Sequence, residues 1–406
     1  MFGAIIGDVV GSRFEFNNIK TTDFQLFDKD SEFTDDTVCT VAFMDWLLNA
    51  DKRTSNSATD YLHSWVRKYP NAGYGGRFYQ WMKSCNPQPY RSYGNGAAMR
   101  ISSIAWVAKD LKELKELSNM ATGITHNHPE GLKGALVVAT CIFMAIHNSS
   151  KDEIGKYAVS QYPEIESMDY AELVKTFTFN ETCQGTVPQA IYCFLISSSF
   201  EDCIRKTISI GGDCDTTAAM SGAIAEAYWG IPERILVRAR DYINADMIKI
   251  VDRFYRHYVY QYGNSIKMSR FKKAQEKTFD RVVKELKNGK KESHWMWYMF
   301  PQIKGLGESE MSEYYGLCGF KDASLYYNDE VLCPRLVKLC EILISLPETD
   351  IKKILGTPDD KKLKSCMTLF YLLSRDKCFK EVLDKYFNGE LDHYTMIYAI
   401  NQTLKR

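Results

Sequence analysis

Two short acidic segments, each placed directly ahead of an apolar run, constrain this chain more than any other feature. Phe33-Thr34-Asp35-Asp36-Thr37 precedes the run Val38 to Leu48, and Gly211-Gly212-Asp213-Cys214-Asp215-Thr216-Thr217 precedes the small-residue run Ala218 to Ala227. Asp and Thr are favoured at helix N-termini, where their oxygens accept backbone N–H groups that lack a partner inside the helix. Each segment therefore reads as the start of a helix. One acid suffices as a cap, so the second carboxylate of each pair must point elsewhere. If the two segments meet, four carboxylates crowd together, and like charges ~4 Å apart repel by roughly 4 kcal/mol at an effective dielectric near 20. Divalent cations relieve that repulsion. An all-oxygen set with no His or Cys suits Mg²⁺ or Mn²⁺ rather than zinc.

Helical periodicity dominates the rest. Lys109 to Leu117 places Leu111, Leu114 and Leu117 on one face, and Asp202 to Ile210, Ser221 to Tyr228 and Val331 to Leu346 repeat the pattern. Alternating β-branched runs bounded by turns are scarce, which predicts an all-α architecture. Loops fall at Tyr69 to Gly76, Tyr93 to Gly96, His128 to Gly131 and Gly211-Gly212. The longest uncharged apolar run, Ala135 to Ile146, is too short to span a bilayer and reads as a buried helix. No membrane partner is expected.

The 406 residues favour more than one domain. Lys becomes denser after Tyr262, which divides the chain into a first domain over 1–262, a linker over 263–267 and a second domain over 268–406. Lys+Arg and Asp+Glu balance at 51 each, which argues against a generic nucleic-acid binder. The 12 cysteines form no C-x-x-C pair, so they are expected to be reduced and the compartment cytoplasmic. The start Met1-Phe2-Gly3-Ala4 lacks a basic segment before an apolar core and does not read as a signal peptide.

A third acidic element is Ile6-Gly7-Asp8-Val9-Val10-Gly11-Ser12-Arg13-Phe14-Glu15-Phe16. Gly7 and Gly11 suggest tight helix packing, with Asp8 structural. Glu15 lies between aromatic residues, which would raise its pKa and suit proton transfer. The alternative is a surface Glu paired with Arg13.

Together with NAGYGG, SYGNGAAMR and THNHPEG, these segments resemble the ADP-ribosylglycohydrolase family, in the family's order and over residues 1 to about 262. The resemblance implies a compact all-α domain with two Mg²⁺ ions, or Mn²⁺, at the base of a cleft. It implies Thr34, Asp35, Asp36, Asp213, Asp215 and Thr216 as metal ligands, with Asp35, Asp36, Asp213 and Glu15 catalytic. Gly73, Gly75 and Gly76 resemble the loop that approaches a diphosphate with backbone N–H groups. Ser92, Tyr93, Gly94, Asn95, Gly96 and Met99 resemble the segment that holds the distal ribose and phosphate, and His126 resembles a residue lining the same cleft. His128 reads as a helix-entry residue before Pro129. Cys214 is a departure, since Ser is common there among relatives.

The implied activity is hydrolysis of the C1″ glycosidic bond of an ADP-ribosylated protein, nucleic acid or small molecule, releasing ADP-ribose. A non-catalytic ADP-ribose reader and a metal-dependent nucleotide phosphohydrolase remain open. Oligomeric state is not legible. The second domain resembles a small, mostly helical bacterial family of unassigned activity, sometimes labelled calpastatin, through Ser293-His294-Trp295-Met296-Trp297-Tyr298-Met299-Phe300-Pro301-Gln302 and Thr357-Pro358-Asp359-Asp360. There, His294 with Arg270, Gln275 and Lys364 could form a nucleotide-stacking pocket, but core packing of Trp295, Trp297 and Phe300 is the preferred reading.

Overall fold

The computed structural model describes the backbone of residues 1–307 and 309–404, and side chains throughout except at 260–267, 310, 313, 321 and 400–404. Among the described residues the chain is helical, with no strand and two isolated β-bridges, Gly94–Thr182 and Ile303–Leu317. It divides into two compact units, Met1–Tyr262 and Gly263–Arg406.

In the first unit the helices that position the site and its core are α1 (Phe2–Gly11), α2 (Asp35–Asn49), α3 (Gly76–Lys83), α4 (Leu111–Gly123), α5 (Pro129–Ile146), α6 (Cys183–Ile196), α7 (Phe200–Ser209) and α8 (Cys214–Trp229). α8 is the axis, with α1, α5, α6 and α7 packed on it. Every residue of α1 and every residue of α8 from Cys214 to Glu226 is buried, so neither helix has a solvent face. The two meet backbone to backbone. A Cβ on Gly3 would collide with the Gly222 carbonyl, one on Gly7 with the Ala218 carbonyl, and one on Gly11 with Asp215. That spacing of four along one helix face is what lets the helices approach so closely.

The expected helices form, with shifted starts. Asp110 caps α4 by accepting from Glu113 N at 2.8 Å, so the helix begins at Leu111. Leu114 and Leu117 are buried, but Leu111 is 57% exposed. It occupies the first helical position, ahead of the turns that reach the core. α5 starts at Pro129 rather than Ala135, capped by His128, whose Nδ1 accepts from Glu130 N at 3.2 Å. Its 18 residues are long and apolar enough by length and composition to cross a membrane, yet 67% of that window is buried within the unit.

The 263–267 stretch, expected as a linker, follows directly on the boundary between the two units. It lies inside α9 (Tyr260–Glu276), a continuous helix. Gly263, Asn264 and Ser265 are weak helix formers, and each costs about 1 kcal/mol or less, which does not stop a helix. The second unit continues with α10 (Phe279–Lys287), α11 (Leu332–Ser345), α12 (Asp359–Ser374) and α13 (Lys377–Phe387). Its core contains Trp295, Met299, Phe300, Leu336, Leu339 and Phe370, with Trp297 packed against it, as the sequence favours. Gln275 is spent on Tyr298 O at 2.8 Å and the Tyr326 hydroxyl at 2.9 Å, Arg270 on Gly316 O at 3.1 Å, and Lys364 on Glu390 at 3.1 Å. His294 is exposed.

Candidate metal centre

The two acidic segments meet. Thr216 Oγ1 at the start of α8 donates to Asp36 Oδ2 at the start of α2, at 2.9 Å across 180 residues of sequence. Thr34 is the N-cap of α2, and its side chain accepts from Asp36 N. Asp213 occupies the N-cap position of α8 without making a side-chain cap bond, which leaves its carboxylate free to face the site. Gly211 and Gly212, both at positive φ (74° and 75°), turn the chain sharply into that position. Asn18 clamps the turn from the other side, accepting from Gly212 N at 2.7 Å and donating to Gly212 O at 2.9 Å.

Carboxylate oxygens of Asp8, Asp36 and Asp215 lie within 4.8 Å of one another, and so do those of Glu15, Asp213 and Asp215. Asp215 belongs to both groups. Asp35, the first residue of α2, is in neither, although the charges of Asp8, Asp213 and Glu15 act on it. Asp8, read from sequence as structural, has a double role. Its carboxylate accepts from Thr34 N, Thr34 Oγ1, Thr37 N and Thr37 Oγ1, pinning the start of α2 to α1, and it also faces Asp36 and Asp215. An acid in the middle of an otherwise apolar helix was the signal available for it.

Crowding and burial act together on these groups. Burial, then the charges of Asp8, Asp35 and Asp213, hold the Asp36 pKa well above the carboxylate range. Burial, then Asp213, Asp36 and Glu15, do the same for Asp215. Burial raises Asp213 and lifts Asp8 to about 6 against its four hydrogen bonds. Asp35 is pushed to about 8, by burial first and then by Asp8, Asp213 and Glu15. Glu15 rises to about 7, from burial and then Asp213 and Asp8. Of its two aromatic neighbours in sequence, Phe16 is 80% exposed and Phe14 is partly buried. Arg13 pairs with Asp28 at 3.3 Å rather than with Glu15.

Asp36 Oδ1 and Asp215 Oδ1 are buried and have no hydrogen-bond partner. Folded proteins avoid that condition unless another ligand completes the site. Every candidate donor is oxygen, because the Cys214 thiol turns away to Gly11 O at 3.6 Å. The chemistry of the set fits a hard cation.

The rest of the cleft follows from the glycine-rich loops. Asn95 Nδ2 donates to Asp213 Oδ2 at 2.6 Å, joining the Ser92–Met99 segment to the acids. Asn95 and Met99 are buried, Tyr93 is 45% exposed, and Ser92 Oγ accepts from Gly94 N at 3.2 Å. Cβ atoms placed on Gly94 and Gly96 would lie 3.6 and 3.5 Å from His126 Nε2, so His126 borders the same segment. On the Asp35 side, a Cβ on Gly73 would sit 4.0 Å from Asp35 Oδ1, and Gly75 and Gly76 open onto free space at the start of α3.

A family model described as ADP-ribosylglycohydrolase matches residues 1–263, and one described as a protein of unknown function (DUF1810) matches residues 265–398. ADP-ribosylhydrolase ARH3 of Homo sapiens is 27% identical over 329 residues, covering 61% of this chain and 89% of the relative. ADP-ribosyl-[dinitrogen reductase] glycohydrolase of Rhodospirillum rubrum is 25% identical over 146 residues, 34% of this chain and 47% of the relative. Among solved structures, the conserved hypothetical protein Rv1873 of Mycobacterium tuberculosis is 37% identical and covers 32% of this chain and 94% of its own, with a TM-score of 0.32. An ADP-ribosylglycohydrolase-related protein is 21% identical and covers 63% of this chain and 95% of its own, with a TM-score of 0.48. With the family model spanning the whole unit that carries the paired acidic helix starts, this chain belongs to the ADP-ribosylglycohydrolase family.

Proposed function

We propose that the first unit hydrolyses the C1″ glycosidic bond of ADP-ribosylated targets, with two Mg²⁺ ions, or Mn²⁺, held by Asp36, Asp213 and Asp215 together with Thr34, Asp35 and Thr216. The single observation that carries this reading is the pair of buried, unpartnered oxygens Asp36 Oδ1 and Asp215 Oδ1 among mutually repelling carboxylates. When bound there, hard cations supply Lewis acidity to ribose hydroxyls and to water.

The remaining work falls to the chain. Cleavage builds oxocarbenium character at C1″, so the leaving acceptor needs a proton and the incoming water must lose one. Glu15, held at about 7 and only partly buried, can carry either proton near neutrality. Asn95 fixes the orientation of Asp213. Gly73, Gly75 and Gly76 leave room for a diphosphate to reach backbone N–H groups at the start of α3. Ser92 to Met99 and His126 form the wall that receives the distal ribose and its phosphate.

The test is turnover of targets ADP-ribosylated on arginine, on serine, on nucleic acid and on a small molecule, before and after chelation. Free ADP-ribose released only when Mg²⁺ is present or restored is the expected result. Turnover that survives full demetallation overturns the reading. Released phosphate would indicate a phosphohydrolase, and binding without product a reader.

A further inference from the structure

We infer that Arg100 and Thr125 form a relay that fixes His126 as a neutral imidazole with its proton on Nε2, so that the cleft wall offers its ligand one hydrogen-bond donor and no base. The ligand half of this inference rests on the proposed function; the tautomer does not.

A guanidinium can only donate. Arg100 Nη2 lies 2.5 Å from Thr125 Oγ1, so Oγ1 accepts there. The other neighbour of that hydroxyl is His126 Nδ1, at 2.7 Å. Thr125 is fully buried, and among the described residues its hydroxyl has no third partner. Were the imidazole proton on Nδ1, two donors would converge on Oγ1 and the hydroxyl proton would be sealed in without an acceptor. Buried donors are almost always paired. The consistent assignment runs one way: Arg100 donates to Thr125, Thr125 donates to His126 Nδ1, and the imidazole proton sits on Nε2.

Three features hold the relay in that direction. Arg100 is 1% exposed, with its guanidinium over the rings of Phe43 at 5.3 Å and Phe78 at 5.7 Å, and among the described residues no carboxylate pairs with it. It cannot be discharged, so it is a permanent donor. A second proton on His126 is opposed by burial and by the charges of Arg100 and Arg77, which hold its pKa well below the usual value. Tyr90 is the other titratable ring against it, at 6.1 Å. Finally, glycine at 94 and 96 keeps side chains away from Nε2, since a Cβ at those positions would lie 3.6 and 3.5 Å from it. The Nε2–H is thus a directional donor for an oxygen of bound ADP-ribose. Arg100 and Thr125 are positioning residues that act through it.

The 406-residue chain, labelled with ¹⁵N at its seven histidines, tests this directly. The His126 signal is assigned by its loss in His126→Gln. Long-range ¹H–¹⁵N correlation should show Nδ1 bare and Nε2 protonated from about pH 5.5 to 8. A proton on Nδ1, or an imidazolium at about pH 6, overturns the inference. Thr125→Val should mix the tautomers and weaken ADP-ribose binding, measured with Mg²⁺ present, by about tenfold. Thr125→Ser should restore both. A valine variant with the wild-type tautomer and affinity also overturns the inference. If the wild type binds no ADP-ribose, the ligand half falls together with the proposed function, while the spectrum still decides the tautomer.

Discussion

Glu285 in the second unit and Asp36 in the first are both buried acids, and their surroundings are opposites. Glu285 accepts from Glu292 N at 2.9 Å, Ser293 N at 3.1 Å, Ser293 Oγ and Trp295 Nε1 at 2.8 Å. Burial alone would push its pKa up, but bonds from Ser293, Trp295 and the backbone outweigh burial and hold it at about 2. Asp36 has one donor, Thr216, an unpartnered second oxygen and three repelling carboxylates. Burial is common to both, so burial does not separate a structural pin from a site. The number of donors does. A saturated acid holds its fold together, whereas acids left short of donors and pressed together are stable as anions only beside a cation.

Substitution should pull the two apart most strongly. Asp36→Ala or Asp215→Ala is expected to lower turnover by more than about 100-fold while circular dichroism keeps its helical form. Glu285→Ala should instead cost about 2–4 kcal/mol in denaturant unfolding of the second unit, because its four donors lose their acceptor. An Asp36→Ala protein that unfolds, or a Glu285→Ala protein as stable as the parent, would break the contrast.

The pH dependence should differ in sign. The site acids have folded pKa values above their unfolded ones, so their contribution in chelated protein is full below the ordinary carboxylate pKa. It is lost as pH rises through the values near 6 for Asp8, 7 for Glu15 and 8 for Asp35. Glu285 is depressed, so its contribution is present above the ordinary range and is lost as pH falls toward 2. Tm against pH, with and without Mg²⁺, should show a fall from acid to pH 8 that the ion flattens. A chelated protein whose stability rises over that interval would contradict the assignment.

A smaller effect is expected at the helix seam. Gly7→Ala places a methyl against the Ala218 carbonyl and should cost about 1–3 kcal/mol, read as a lower Tm. The smallest concerns Cys214→Ser. The thiol lies on Gly11 O and not among the acids, so turnover should be unchanged, and a large loss would place position 214 in the site after all.

Much of this was legible in the residues, for definite reasons. Helix type followed from periodicity, and the starts of α2 and α8 from their acids and hydroxyls. Leu111 was misplaced because periodicity says which residues share a face, not which turn first reaches the core. Composition marks 263–267 as a linker but carries no sign that its backbone is helical. Asp8 reads as structural in the sequence because its four donors and its two acidic neighbours come from α2 and α8, distant along the chain. Asn18 gave no local sign of its clamp on Gly212. That the acidic segments share one space is a tertiary fact, and short-range pattern cannot supply it.

Where Gly3 and Gly7 of α1 meet α8, the glycines face the carbonyl oxygens of Gly222 and Ala218, and Gly11 lies against the backbone of Asp215. Such a junction has no rotamers with which to widen or narrow. Asp8 rides on one member and Asp215 on the other, so their separation is set by main-chain thickness. The spacing between the two sides of the acidic cluster is thus set in part by three glycines that carry none of its carboxylates.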